Sequence, residues 1–295
     1  MATSNNIKFL TCIYTNLHGT EFGGQDSNRI HRYKYSLLSL LKMTEADFVC
    51  YTGEEEINDL EEFFYNEHNI SHNQLKFEVF NLKDVKFASL IDKVKNVEEM
   101  KQSVRCHEVQ YSKFHWWWNE DKTYDYYYWI DAGISCINLL PTKFLNQNHT
   151  DGMRNYYDTN LFNNTFLDNL VKITRDKFLL LGKENIEQFW SQTVPEKWYK
   201  NYNNSLHIIG GLFGGSVNMW DKVVPMFEDY VSKIISEDRV LYFEELFMSL
   251  MYVNDSSKFK VIEFDTWHHE DSGIHDKAFF ETKKSFYEII TDLNK

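Results

Sequence analysis

Proline is nearly missing from this 295-residue chain, which has 3 prolines beside 23 phenylalanines and 18 tyrosines. With 43% hydrophobic and 17% aromatic residues, that scarcity excludes a proline-rich or low-complexity polymer and leaves a packed globular protein. Cysteine is equally sparse. The four cysteines (Cys12, Cys50, Cys106, Cys136) show no C-x-x-C spacing, so neither a disulfide framework nor a zinc cluster follows. No apolar run approaches the roughly 18 residues of a membrane span, and the first residues lack the basic and apolar parts of a signal peptide. The expected location is therefore cytoplasmic, at most peripheral to a membrane, and triplets such as Asn148-His149-Thr150 read as chance matches to the glycosylation pattern. Basic residues are in deficit as well, 31 against 44 acidic, for a net charge of −13. Nonspecific binding to nucleic acid or to an anionic membrane is thereby disfavoured as the main activity, and any phosphate ligand has to be met locally by a metal or a few basic groups.

What the chain does have is an alternation of strands and helices. Ile7 to Tyr14 reads as a first buried strand, followed by a glycine-marked loop whose Tyr14, Thr15 and Asn16 can face a ligand. Arg29 to Lys42 carries a helical apolar stripe, with Arg29 and Arg32 as the nearest basic groups. Asp47 to Tyr51 and Leu75 to Phe80 read as further strands, and Glu54-Glu55-Glu56 suits the first turn of a helix, where acidic residues complement the dipole. The first hundred residues thus read as β-α units, which implies a parallel sheet covered by helices. Val104 to Trp118 reads as a helix passing the ligand end of that sheet, with Arg105 and Lys113 as sugar or phosphate contacts.

The centre of the chain is Tyr126-Tyr-Tyr-Trp-Ile130 running into Asp131-Ala132-Gly133. A carboxylate delivered to a strand end can hold Mg²⁺ or Mn²⁺ against a diphosphate; a turn-opening aspartate followed by glycine fits that strand equally well. Residues 146 to about 205 lack a clean period and read as an acceptor-side insertion, with a helical piece near Glu184 to Trp190. Gly210-Gly211 and Gly214-Gly215 flank Leu212-Phe213, which implies either a close approach, such as a sugar ring, or a bulge in a packed strand. Glu244-Glu245 sits in an otherwise apolar helix spanning about Arg239 to Val253, where at most one of the pair points fully inward. A short strand from Lys258 to Phe264 leads to Trp267-His268-His269-Glu270-Asp271, a set rich in metal-ligating groups, and Lys277 to Leu293 reads as a closing helix.

Taken in order, these pieces resemble the glycosyltransferase-A (GT-A) fold. Trp129 to Ser135, Pro141 to Phe144, Gly210 to Gly215 and Glu244-Glu245 resemble, more narrowly, the bacterial YibB-like (HtrL) group of glycosyltransferase-related proteins. The resemblance implies one α/β domain, a Rossmann-like and mostly parallel central sheet flanked by helices, with a nucleotide-sugar half over about 1–135 and an acceptor-side half over about 136–295. It implies transfer of a sugar from a nucleotide-sugar donor, UDP-linked in the first instance, to a hydroxyl of a glycan or glycolipid. The wider fold places Asp-x-Asp where this chain has Asp131-Ala132-Gly133, so the divalent metal, Mn²⁺ or Mg²⁺, is expected on Asp131 with His268 or His269. Glu245 is the first choice for catalytic base, with Glu244 and Asp271 behind it. The donor is expected on Tyr14, Thr15, Asn16, Arg29, Arg105, Lys113 and Asp131 to Gly133, and the acceptor on Gly210, Gly211, Gly214 and Trp267. A metal-dependent hydrolase built on His268, His269 and Asp131, or a catalytically inactive sugar-binding module, are the competing readings.

Overall fold

The computed structural model describes residues 6–15, 17, 26–94, 104–133, 164–182 and 208–263. Seven strands form one sheet in the order β3-β2-β1-β4-β6-β5-β7. These are β1 (Ile7–Ile13), β2 (Asp47–Thr52), β3 (Leu75–Val79), β4 (Tyr126–Ile130), β5 (Phe178–Gly182), β6 (Ile208–Ser216) and β7 (Phe259–Glu263). All neighbours pair in parallel except β6, which runs antiparallel to both β4 and β5. The mostly parallel central sheet flanked by helices is thus as the sequence implied.

Burial on both faces explains the strand composition. β1, β2, β4 and β5 are near-continuous apolar runs rather than alternating ones, as parallel strands covered on both sides should be. One face packs Leu37, Leu38, Leu40 and Leu41 of helix α1 (Asp26–Met43) against Phe9, Phe48 and Tyr128. Of the other helices, α2 is Ile57–Glu61, α3 is Ala88–Val94, α4 is Val104–His115, α5 is Asn164–Ile173, α6 is Val217–Asp238 and α7 is Glu244–Asn254. α5 joins the α1 face, while α3, α4, α6 and α7 cover the opposite one. There Phe114 stacks between Phe213 at 4.7 Å and Phe227 at 4.0 Å, tying α4 to β6 and α6. Trp116 stacks on both Tyr51 and Trp129. Each such pair adds roughly 0.5–1.5 kcal/mol beyond area burial, so this face is stiff.

Several expectations need correction. Part of the stretch expected as an insertion, Asn164–Ile173 and Phe178–Gly182, belongs to the main body: β5 lies between β6 and β7 and is buried throughout. α7 begins at Glu244 rather than near Arg239, because Arg239 adopts the left-handed conformation (φ 57°) that ends α6. Between β3 and α4 the chain forms a short 3₁₀ turn (Leu82–Asp84) and then α3. The pieces expected near Glu184 to Trp190 and over Lys277 to Leu293 lie outside the described residues.

Candidate active site

The strand order dictates where the site lies. β2 and β3 extend from one side of β1, while the chain returns to β4 on the other side, so the order reverses between β1 and β4. In open α/β sheets the crevice beyond the carboxyl ends of two such strands is where ligands bind. Tyr14 and Thr15 leave β1 at that edge, and Asp131 leaves β4.

Asp131 is held there by three contacts. Its N–H donates to the Gly211 carbonyl at 2.8 Å. Its Oδ1 accepts from Trp129 Nε1 at 2.8 Å and pairs with Lys113 Nζ at 3.1 Å, while Oδ2 takes no hydrogen bond from any described residue. The side chain remains 35% exposed. Aspartate at a strand end is thus more than a turn opener here, because the indole preceding it by two residues orients the carboxylate.

Behind Asp131 lies a buried ion pair. Lys113 Nζ donates to Glu244 Oε1 at 2.6 Å and to the Gly210 carbonyl at 3.3 Å, and lies 5.3 Å from the Trp129 ring centroid. Lys113 thus has three close partners, Glu244 and the Gly210 carbonyl by hydrogen bond and Asp131 as an ion pair. Burial works against its charge, but Asp131, Glu244 and Glu245 outweigh it and hold its pKa well above the usual lysine range. Lys113 is therefore paired internally with two carboxylates, a setting not visible in the sequence, which suggested a sugar or phosphate contact. Glu245 is driven the opposite way to a free carboxylate. Burial first, then the adjacent Glu244 charge, push its pKa well above the ordinary value, with Lys113 pulling it down. With two carboxylates facing one ammonium, the cluster carries net negative charge.

That charge bears on the metal. A diphosphate brought to this spot meets no surplus of positive charge, whereas a divalent cation does meet an exposed carboxylate with one uncommitted oxygen among the described residues, a hard donor of the right kind. Among those residues no group of three His, Cys, Asp or Glu converges, so further ligands must come from elsewhere. His268, His269, Trp267, Asp271 and Asn16 lie outside the described residues, and Arg29 is placed only by its backbone, in the first turn of α1. Cys12, on β1 beside β4, offers no thiolate: burial raises its pKa well above the usual thiol value.

The glycines divide by position. Gly210 and Gly211 lie at the crevice, where β6 begins next to the end of β4. A Cβ on Gly210 would come within 2.6 Å of Glu244 Oε1 and 3.2 Å of Lys113 Nζ, so the missing side chain makes room for the ion pair. Gly133 likewise accommodates the Tyr33 ring, which a Cβ would meet at 2.4 Å. Gly214, expected on the acceptor side, is instead inside the sheet opposite Tyr128, with φ +146° and a Cβ position 2.3 Å from the Tyr127 carbonyl oxygen. Its requirement for glycine is one of backbone packing.

On the β1 side, Arg105 donates through Nε to the Thr15 carbonyl at 2.9 Å and lies 5.7 Å from the Tyr14 ring. Glu56 was missed: its acidic neighbours and helix-start setting suggested an exposed dipole partner, yet it is 4% exposed and accepts from the Thr15 N–H at 2.8 Å. The available signal was Gly53 three residues earlier, since a Cβ there would lie 2.4 Å from Glu56 Oε2 and keep that carboxylate from turning inward.

No family model matches the chain, and no curated protein does either. Among solved structures it is similar to apo mouse xyloside xylosyltransferase 1, at 8% identity and TM-score 0.48 over 94% of this chain and 93% of that one. It is also similar to 4-diphosphocytidyl-2C-methyl-D-erythritol synthase from Anaerococcus prevotii, at 10% identity and TM-score 0.38, covering 99% and 95%. A third structure, from Desulfovibrio desulfuricans and described as a nucleotide-diphospho-sugar transferase, gives 8% identity and TM-score 0.38, covering 98% and 95%. Identities and TM-scores this low leave the functional reading to the residues themselves.

Proposed function

We propose that this chain is a glycosyltransferase of GT-A-like organisation, which moves a sugar from a nucleotide-sugar donor, UDP-linked in the first instance, to a hydroxyl of a glycan or glycolipid. The motif resemblance to the YibB-like group supports this reading. The observation that carries it is Asp131: an oriented, part-exposed carboxylate at the point where the strand order reverses, with one oxygen uncommitted among the described residues.

In this mechanism Asp131, with His268 or His269, would hold Mn²⁺ or Mg²⁺. Such an ion would supply Lewis-acid stabilisation of the departing diphosphate. The chain's own residues do the rest. Lys113 and Trp129 fix the Asp131 carboxylate in one orientation, so no reorganisation is needed when charge develops. The bond from the anomeric carbon to the diphosphate oxygen breaks, the acceptor oxygen bonds to that carbon, and the acceptor proton passes to a carboxylate. Glu245 suits that last role, because its raised proton affinity strengthens it as a base once ionised.

The test is a thermal-shift series of nucleotide sugars with and without Mn²⁺ on the wild-type protein and on Asp131→Asn. A donor at about 100 times its Kd should add about 2.7 kcal/mol of stability. The gain should need Mn²⁺, vanish in the variant, and accompany release of nucleoside diphosphate when an acceptor glycan is added. No shift with any donor refutes the proposal. A sugar-binding module would instead keep its glycan affinity in Asp131→Asn and release no nucleotide.

A further inference from the structure

Thr15 is the residue at which the chain turns out of β1 into the crevice, and no strand or helix fixes it there. Its polar groups are nonetheless held by two side chains from distant elements. The N–H and the hydroxyl both donate to Glu56 Oε1, at 2.8 and 2.5 Å, and the carbonyl accepts from Arg105 Nε at 2.9 Å. Glu56 also pairs with Arg105 Nη2 at 3.4 Å, and Arg105 lies over the Tyr14 ring. Tyr14 is anchored in turn, its hydroxyl donating to the Phe80 carbonyl at 3.0 Å. The Glu56 side chain is 4% exposed while the Arg105 side chain is 34% exposed, so the carboxylate is the hidden member and the guanidinium the one facing outward.

A carboxylate buried beside a glycine kept free for it is costly as a stability device, since an apolar residue of the same volume would serve at least as well. Its value lies in geometry. We infer that Glu56 is a positioning residue for the donor: it sets the Thr15 turn and aims the Arg105 guanidinium at the crevice. This rests on the function proposed above and extends it to a residue outside the reacting groups. Among the described residues Arg105 uses its Nε and one Nη, which leaves further N–H donors of its fork for a diphosphate or ribose oxygen. Because Glu56 already balances its charge, Arg105 contributes directed hydrogen bonds more than net positive charge, and the diphosphate charge would be met by a cation held at Asp131.

The experiment compares Glu56→Gln and Glu56→Ala with the wild type, and uses Glu228→Gln as a control for loss of a buried carboxylate far along the chain. Glu228 is held by Lys86, Trp118 and His115 and touches none of the crevice residues. Three quantities are read: melting temperature, amide hydrogen exchange at Thr15, and steady-state KM and kcat for UDP-sugar with Mn²⁺. Glu56→Gln keeps an acceptor for Thr15 but loses the charge on Arg105, so donor KM should rise about 3- to 10-fold with kcat nearly unchanged. Glu56→Ala should raise it about 30-fold or more and also release the Thr15 amide to exchange. Glu228→Gln should lower the melting temperature without moving KM. The inference is overturned if both Glu56 variants change only the melting temperature, as Glu228→Gln does, or if Thr15 stays protected in Glu56→Ala. If wild-type protein binds and turns over no nucleotide sugar, the function itself fails, and this inference fails with it.

Discussion

Replacing Lys113 by methionine tests the buried charge cluster most directly. Methionine keeps most of the side-chain volume and removes the ammonium. Glu244, 1% exposed and 2.6 Å from Lys113 Nζ, is then left as an uncompensated buried carboxylate. Breaking such a pair by removing one partner costs about 3–5 kcal/mol. Asp131 adds little to that figure, because its side chain is 35% exposed and its pairing is screened by water. At roughly 2–4 °C per kcal/mol for a large domain, the melting temperature should fall by about 10 °C. The pH dependence carries the sign. In the wild type the raised Lys113 pKa gives stability fully present below the unfolded value of about 10.4 and lost only as pH climbs through the higher folded value. Between pH 5 and 8 the wild-type pair is therefore constant. In the variant the stranded carboxylate is relieved by taking up a proton, so the deficit should be smaller at pH 5 than at pH 8. Urea unfolding at both pH values measures this. A loss below about 1 kcal/mol, or one equal at both pH values, would refute the reasoning, since a partly solvated pair behaves that way.

Gly210→Ala places a Cβ 2.6 Å from Glu244 Oε1, so it should cost about 1–3 kcal/mol of overpacking and lower kcat by shifting Lys113 and Asp131; donor turnover beside urea unfolding checks both. Gly214→Ala combines φ +146° with a 2.3 Å approach to the Tyr127 carbonyl and should cost at least about 3 kcal/mol, seen as a lower urea midpoint or loss of folded protein. His107 is buried neutral: burial lowers its pKa to about 4, partly offset by bonds with the Tyr242 backbone and Gln110. Since the unfolded chain takes up the proton near pH 6.5 and the folded one only near 4, wild-type stability should fall by about 3 kcal/mol as pH drops through that window. His107→Gln should remove that part of the slope in urea unfolding followed from pH 7 to 4.

The sequence made the sheet and its reacting edge legible where a single local signal sufficed. Tyr126 to Asp131 reads as a strand ending in a carboxylate because five apolar or aromatic residues in a row have nowhere to go but a covered sheet, and α4 follows from its periodicity. Glu244 and Glu245 could be singled out because carboxylates are expensive in so apolar a helix, and their split into one fully buried and one half-buried residue follows from helix geometry. What stayed hidden depended on partners distant in the chain. Glu56 looks like any acidic helix start until Thr15 and Arg105 come to it from 41 and 49 positions away. The role of Lys113 depends on Glu244, 131 positions later. Phe178–Gly182 is too short and too uniformly apolar to declare itself as a strand without the β6 and β7 neighbours that claim it.

The reversed direction of β6 has an evolutionary consequence. Gly182 at the end of β5 and Ile208 at the start of β6 are paired, and β6 reaches Asp131 within three residues, so both lie on the crevice edge of the sheet. The chain linking them leaves and rejoins the scaffold at the rim where an incoming substrate would arrive. Its length and composition can therefore drift, or be exchanged wholesale between relatives, while the pairing below stays unchanged. On the transfer function proposed above, editing that one connection would retarget the protein to new receiving molecules and leave the β1 and β4 side of the crevice alone.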